Sequence, residues 1–117
     1  MASARATELG RWPWRRVRVR GPSMAPCLAD GDVVLVRVGA VPVPGDVVLV
    51  RWPGRLSVKR AVRPEGAGTW FVTGDNTFGS TDSRELGPAV VAGVVRWRLW
   101  PGPGRLHGSE QRRGSGR

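Results

Sequence analysis

The heptapeptide GDVVLVR occurs twice in this chain, at residues 31–37 and again at residues 45–51. In each copy a Gly-Asp pair precedes an uninterrupted apolar run, which is typical of a tight turn followed by a strand buried on both faces. The offset of 14 residues between the copies is too short for a repeat unit with its own core. We therefore interpret the copies as two neighbouring strands of similar composition, with an internal duplication as the alternative.

Valine-rich segments separated by Gly, Pro and Asp extend outward from the repeat on both sides. They predict further strands at residues 17–21, 56–62, 69–75 and 89–100. No segment shows a sustained helical period, although residues 24–29 could form a single turn. The sequence thus predicts an all-β domain over residues 17–101. Residues 1–16 would be a basic, Trp-containing arm, and the Gly/Arg-rich residues 102–117 a disordered tail.

The 117 residues carry a net charge of +10, most of it near the two ends. Residues 1–20 hold six Arg and one Glu, and residues 105–117 hold four Arg and one Glu, so the body between them is close to neutral. A nucleic-acid-binding module usually places its positive charge on a folded face. Nucleic-acid binding through the tails is therefore kept only as a non-enzymatic alternative.

The sequence offers no segment that would carry the chain across a membrane. No apolar run approaches the roughly 20 residues that span a bilayer, and the N-terminus lacks the apolar centre of a signal peptide. The single cysteine, Cys27, excludes an intrachain disulfide and fits a reducing compartment, so we expect a cytoplasmic location. Trp12 and Trp14 among arginines would suit transient contact with an anionic membrane surface, or packing at the mouth of the barrel.

The rare residue types limit the chemistry that this chain can perform. The only histidine, His107, lies in the predicted tail, so a Ser-His-Asp triad or a histidine-based zinc site has no basis. Lys59 is the only lysine among 19 basic residues and lies in a predicted strand with apolar neighbours. Burial can lower a lysine pKa until the amine acts as a base, whereas arginine stays protonated. The alternative is an ordinary surface lysine.

Ser23 is the candidate partner of this lysine. Pro22 and Pro26 restrict the backbone around it, which leaves the Ser23 amide free to face a developing oxyanion. A hydroxyl on such a loop, within reach of a neutral amine, is an activated nucleophile without histidine. A turn serine bonded to its own backbone is the alternative.

A third segment, GDNTFGSTDSRELG at residues 74–87, is polar although it lies between two apolar strands. It could be a plain surface loop. As the wall of an active site it would supply Ser80 to orient an amine, with Asp82 and Arg84 as an ion pair that fixes the loop.

Taken in order, GPSMAPCLADGD (21–32), VKRAV (58–62) and GDNTFGSTDSRELG resemble the characteristic boxes of the signal peptidase I superfamily of Ser-Lys proteases. The resemblance covers residues 17–91 and implies a small coiled antiparallel β-barrel or sheet of the signal peptidase/LexA-like catalytic core. It implies Ser23 as nucleophile, Lys59 as general base and Ser80 as the hydroxyl that orients the lysine. Asp82 and Arg84 would be the supporting ion pair, and residues 74–76 a turn that shapes the site.

Two positions depart from the pattern of this superfamily. Cys27 stands where typical members have Thr. Gly21 stands where some have a serine that donates to the oxyanion, so Gly21 is assigned with Ser80 to the orienting and oxyanion residues. The Ser23 amide would then carry more of the oxyanion stabilisation.

The substrate is expected to lie extended between the strands that end near Gly21 and Lys59, held by main-chain hydrogen bonds. Shallow pockets for small side chains would form there. The residues expected to contact the substrate are Val19, Met24, Leu56 and Val58.

The lack of a membrane anchor and of the large inserted β-domain makes the chain resemble most the nickel-type superoxide dismutase maturation proteases. The resemblance implies removal of an N-terminal leader from the dismutase precursor. The nickel would belong to the substrate, and the protease would need no metal or other cofactor. Processing of secreted precursors at a membrane surface is the alternative within the superfamily.

Overall fold

The computed structural model of the chain describes residues 13–76 and 81–106. Strands make up most of it. They are β1 (Trp14–Arg18), β2 (Val33–Val38), β3 (Val47–Trp52), β4 (Arg55–Gly66), β5 (Thr69–Thr73), β6 (Ala89–Trp100) and β7 (Gly104–Arg105), with one short helix, α1 (Ser83–Leu86), before β6. The all-β prediction is confirmed, and the predicted strand at 89–100 has the observed bounds of β6. Within these residues no helix is long and apolar enough to cross a membrane.

The strands form one antiparallel sheet that closes on itself at one end. Its order is β1-β2-β6-β3-β4-β5, and β5 also pairs with the first residues of β6. Strands β6, β3, β4 and β5 therefore form a ring, while β1 and β2 continue the sheet along the second half of β6. This is the small coiled antiparallel barrel or sheet that the sequence predicted.

The two copies of the heptapeptide begin with the same turn. The Ala29 amide donates to Asp32 Oδ2 at 2.9 Å, and the Val43 amide donates to Asp46 Oδ2 at 2.9 Å. The glycine before each aspartate has a positive φ, 93° and 96°, which glycine adopts without the strain of a Cβ. Identical local sequence has thus produced identical local structure.

The copies are not neighbours in the sheet, because β6 lies between β2 and β3. The prediction of adjacent strands was therefore wrong. Burial on both faces is confirmed for β3, which has a core cluster on each side, but is wrong for β2, where Val34 and Val36 are buried and the alternate residues are half-buried or exposed. Within residues 13–76 and 81–106, one face of β2 is only partly covered.

Two apolar clusters fill the fold, and β3 contributes alternate side chains to both. Core 1 lies under the Ser23 loop and consists of Val19, Met24, Leu28, Val34, Val36, Val47, Leu49, Val58, Val95 and Leu106. Core 2 fills the ring and consists of Val48, Val50, Trp52, Ala61, Trp70, Val72, Ala89 and Val94. Because the Ser23 loop contributes Met24 and Leu28 to core 1, burial of these side chains anchors the loop to the sheet.

Both ends of the described chain join the sheet. Strand β1 begins at Trp14, within the stretch that the sequence analysis assigns to the basic arm. Gly104 and Arg105, assigned to the tail, pair with β6, and Leu106 is buried with its amide donating to the Arg96 carbonyl at 2.7 Å. The rest of the arm and of the tail, residues 1–12 and 107–117, lies outside the described residues.

Candidate active site

Ser23 and Lys59 line the same cavity, which has a volume of ≈ 360 Å³. One wall is residues 17–23, from the end of β1 into the Ser23 loop, and the opposite wall is residues 55–59 of β4. Within the described residues no hydrogen bond joins the Ser23 hydroxyl to the Lys59 amine. Such bonds are often long in an enzyme without substrate, so the shared cavity is the informative observation.

Lys59 is buried although it is charged in its ordinary state. It lies in β4 opposite Val48 of β3, and only 3% of its surface is exposed. Burial is the main cause that lowers the pKa of its amine; the Asp82 carboxylate opposes this shift and the Arg55 guanidinium adds to it. The amine is therefore neutral at lower pH than an ordinary lysine and can accept a proton.

The Ser23 loop is a compact turn. The Ala25 amide donates to the Pro22 carbonyl at 3.0 Å, and the Leu28 amide donates to the Met24 carbonyl at 2.9 Å. This is the single turn expected at residues 24–29. Among residues 13–76 and 81–106, neither the amide nor the hydroxyl of Ser23 has a hydrogen-bond partner. Both groups are thus available to a substrate.

Asn76 holds the Ser23 loop from the other side. Its amide donates to the Ser23 carbonyl at 2.8 Å, and its side-chain Nδ2 donates to the Pro22 carbonyl at 3.1 Å. The resemblance assigned residues 74–76 to a turn that shapes the site, but no sequence signal indicated these two bonds. They connect residues more than fifty positions apart, which only the folded chain brings together.

Arg60, which the sequence analysis did not single out, connects the same turn to β4. Its guanidinium makes a bidentate ion pair with Asp75, at 2.6 and 3.1 Å, and also donates to the Gly45 carbonyl at 2.9 Å. The Cys27 thiol lies beside this guanidinium as well. Arg60 therefore joins the strand of Lys59 to the turn that holds Ser23. The only sequence signal that could have pointed to Arg60 was its position next to Lys59.

Asp82 and Arg84 form the expected ion pair, with bonds of 2.7 and 3.0 Å. The Asp82 carboxylate is 1% exposed, also accepts from the Gly74 amide at 2.9 Å, and caps α1 by accepting from the Arg84 amide at 3.1 Å. Next to it the buried Ser83 hydroxyl accepts from the Val72 amide at 2.9 Å, an interaction the sequence did not indicate. Ser80, the expected orienting hydroxyl, lies outside the described residues.

The expected substrate contacts divide into two groups. Val19, Leu56 and Val58 line the cavity, and their contact with substrate stays a prediction. Met24 does not: it is fully buried in core 1, because the turn that begins at this residue directs its side chain inward. Gly21 lines the cavity, but its amide already donates to Asp30 Oδ1 at 2.7 Å, so it is not a free oxyanion donor.

Comparison with known proteins identifies the family. Residues 15–95, which include both cavity walls, match the family described as Peptidase S24-like. Mitochondrial ATP-independent inner membrane protease subunit 1a of Arabidopsis thaliana is 35% identical over 116 residues, covering 71% of this chain and 68% of that protein. Subunit 1b of the same organism is 34% identical over 113 residues, covering 69% and 67%. The chain therefore belongs to the peptidase S24-like family and is a serine peptidase of the signal peptidase type.

Proposed function

We propose that the cavity is the active site, with Ser23 as nucleophile and Lys59 as general base. The observation that carries this proposal is that the only lysine of the chain is buried in the wall opposite Ser23, with a lowered pKa. A lysine with a purely structural role would have no reason to stand where arginine could, since arginine occupies all the other Lys/Arg positions of the chain.

The substrate peptide would lie extended between the two walls of the cavity. On the β4 side, Arg55 to Lys59 pair with β3, whereas the pairing with β5 begins only at Arg60. The second edge of this stretch thus has main-chain groups to offer to a peptide. Val19, Leu56 and Val58 would border the side-chain pockets, and the limited volume between the walls favours small residues next to the cleaved bond.

In the proposed reaction the Ser23 hydroxyl oxygen attacks the scissile carbonyl carbon while the Lys59 amine accepts the hydroxyl proton. The Ser23 amide donates to the oxyanion. By the superfamily resemblance, Ser80 would orient the lysine. The C–N bond then breaks, and Lys59 returns the proton to the leaving amine. The leader is left as an ester on Ser23. A water molecule, deprotonated by Lys59, hydrolyses the ester and restores the enzyme.

For the substrate we propose the precursor of a nickel superoxide dismutase, from which the enzyme removes an N-terminal leader in the cytoplasm. The compact spacing between VKRAV (58–62) and GDN (74–76) supports this choice. The experiment is co-expression of the chain with such a precursor and determination of the mature N-terminus by mass spectrometry. A precursor that stays intact beside the folded protease contradicts this substrate and leaves the Ser-Lys chemistry to the variants described below.

A second candidate is the processing of precursors at a membrane surface. It is favoured by the relatives, whose names describe them as inner membrane proteases. The two candidates differ in where cleavage takes place. Cleavage that requires membranes in a reconstituted reaction supports the second candidate, and cleavage in their absence supports the first.

Lys59→Arg tests the proposed mechanism directly. The substitution keeps the positive charge and much of the aliphatic chain, so a purely structural role tolerates it with a modest loss. A guanidinium does not release its proton, so a general base cannot be replaced in this way. We expect cleavage of the precursor, followed by mass spectrometry, to fall to the level of Ser23→Ala.

The double variant is the control for this prediction. Because Ser23 and Lys59 would act as one unit, combining Ser23→Ala with Lys59→Arg should reduce the rate little further. Circular dichroism checks that each variant folds. A Lys59→Arg protein that is folded and cleaves at near the rate of the unmodified protein contradicts the mechanism.

A further inference from the structure

The strands outside the ring, together with β6, are strongly basic and contain no acidic residue. Strands β1, β2, β6 and β7 carry seven arginines and no Asp or Glu. They also carry three of the six tryptophans of the chain. Arginine and tryptophan are thus concentrated on one part of the sheet.

Most of these residues share the face of the sheet that points away from core 1, because partners across an antiparallel pair lie on the same face. The register places Arg16 beside Leu35, Leu35 beside Trp97, and Trp97 beside Arg105 in one row across four strands. Parallel rows hold Trp14 with Arg37, and Arg18 with Val33 and Trp100. With Leu99, these residues are called the Trp-Arg face below.

The Trp-Arg face is open and partly apolar. Trp97 is 38% exposed and Trp100 is 60% exposed. A hollow of ≈ 330 Å³ lies among Trp14, Arg16, Leu35 and Leu99, so the surface has a recess between its aromatic and aliphatic side chains. No element of the described chain covers it.

The arginines on this face accompany the aromatic rings. The Arg37 guanidinium lies 5.3 Å from the centre of the Trp14 ring, and the Arg105 guanidinium lies 5.3 Å from that of Trp97. These contacts keep each positive charge at the level of a tryptophan ring. The face therefore presents apolar rings and cations at one depth, on strands that contain no Asp or Glu.

We propose that the Trp-Arg face binds the surface of an anionic lipid bilayer. Tryptophan prefers the interface between headgroups and acyl chains, and arginine is attracted to anionic headgroups in the same layer. A nucleic acid would engage the arginines but would leave the leucines and the apolar hollow without a partner. Lipid satisfies both the charge and the apolar surface.

The face adjoins the candidate active site. Arg18 belongs to the Trp-Arg face and also lines the cavity that contains Ser23 and Lys59. The face and the cavity therefore meet at Arg18, on the edge strand β1. The proposal does not depend on which precursor is cleaved, and binding can be measured without cleavage.

The test is sedimentation of the full chain, as the Ser23→Ala variant, with phosphatidylcholine vesicles that contain or lack phosphatidylglycerol. We expect binding only to the anionic vesicles, reduced by added salt. Trp97→Ser with Trp100→Ser should lower the partition coefficient about tenfold or more, because binding scales with the apolar area placed in the interface. Val41→Ser with Leu86→Ser, which removes exposed apolar side chains elsewhere, should leave it unchanged.

Charge reversal supplies an independent pair of variants. Arg16→Glu with Arg37→Glu should also weaken binding to anionic vesicles about tenfold or more, whereas Arg51→Glu with Arg63→Glu, on the ring strands, should have a much smaller effect. Equal binding by all four variants would assign the attraction to the basic ends of the chain and overturn the proposal. So would variants of the Trp-Arg face that lose binding to duplex DNA but keep binding to vesicles.

Discussion

At the scale of single residues, Arg55 tunes the proposed base. Its positive charge disfavours the protonated form of Lys59 and so adds to the lowering of the lysine pKa that burial causes. Removing this charge in Arg55→Gln should raise the Lys59 pKa. Since the neutral amine is the active form, we expect the rising limb of kcat/KM against pH to move to higher pH. A series of cleavage rates across that limb measures the shift.

Arg51→Gln is the matched control, because Arg51 is exposed on β3 and does not line the cavity. Arg55 does line the cavity, so its loss could also weaken substrate binding; only the position of the limb, not the height of the plateau, reports on the lysine. A limb that stays in place or moves to lower pH in Arg55→Gln would show that Arg55 does not act on Lys59.

The same lowered pKa affects stability. The unfolded chain binds a proton on Lys59 at pH values where the folded chain does not, so this group makes folding more favourable as pH rises from its folded pKa to its unfolded pKa. Alkaline conditions therefore favour both the active form of the amine and, through this residue, the folded state.

At the scale of elements, the repeated Gly-Asp turn makes a prediction about stability. Asp32 and Asp46 are 7% and 8% exposed, and each accepts a backbone amide at 2.9 Å. Asp32→Ala or Asp46→Ala leaves that amide without its acceptor and should lower the free energy of unfolding by about 1–2 kcal/mol. Urea denaturation measures the loss. The corresponding Asn variants keep a side-chain oxygen that can accept the amide, so their free energy of unfolding should fall less. Alanine variants as stable as the asparagine variants would contradict this role of the aspartate side chains.

Individual elements were predictable from the sequence because their signals are local. Strand β6 was predicted with its observed bounds since Pro88 and Pro101 enclose an apolar, β-branched run. The positions of β2 and β3 in the sheet were not predictable, because nothing in the heptapeptide specifies that a strand beginning 38 residues after the second copy will insert between the two copies. Helix α1 is too short to show a helical period.

In the candidate site, too, local sequence signals were informative and contacts between distant residues were not predictable. Ser23 and Lys59 were singled out because each is unusual for its position in the chain. Asn76 and Arg60 act through partners that are distant in sequence, so their contacts appear only in the fold. Met24 was placed in the site by its position next to Ser23, whereas the direction of its side chain depends on a turn whose geometry the sequence indicated only in outline.

At the scale of the whole molecule, β6 connects the ring that carries Lys59 to the strands that carry the Trp-Arg face. The connection lies at Gly93. Gly93 pairs with Val38 of β2 on one side and Leu49 of β3 on the other. A Cβ at this position would lie 2.6 Å from the Arg37 carbonyl oxygen and 2.6 Å from a Val36 methyl group. The backbone oxygen cannot move without shifting β2, so the close approach of the two strands requires glycine.

Gly93→Ala should therefore lower the free energy of unfolding by about 1–3 kcal/mol, the usual cost of forcing extra volume into a packed interior. Gly102→Ala is the control, since a Cβ there meets nothing within 4 Å and its φ is not positive. Urea denaturation of both variants decides the point. If Gly93→Ala loosened β2 and not the whole fold, amide exchange would accelerate in β1 and β2 while the ring stayed protected. Cleavage of a soluble peptide would also fall, because the end of β1 belongs to one wall of the cavity. A Gly93→Ala protein as stable as the Gly102→Ala protein, with unchanged exchange in β2, would contradict the close packing of these strands and with it the rigid connection between the proposed active site and the Trp-Arg face.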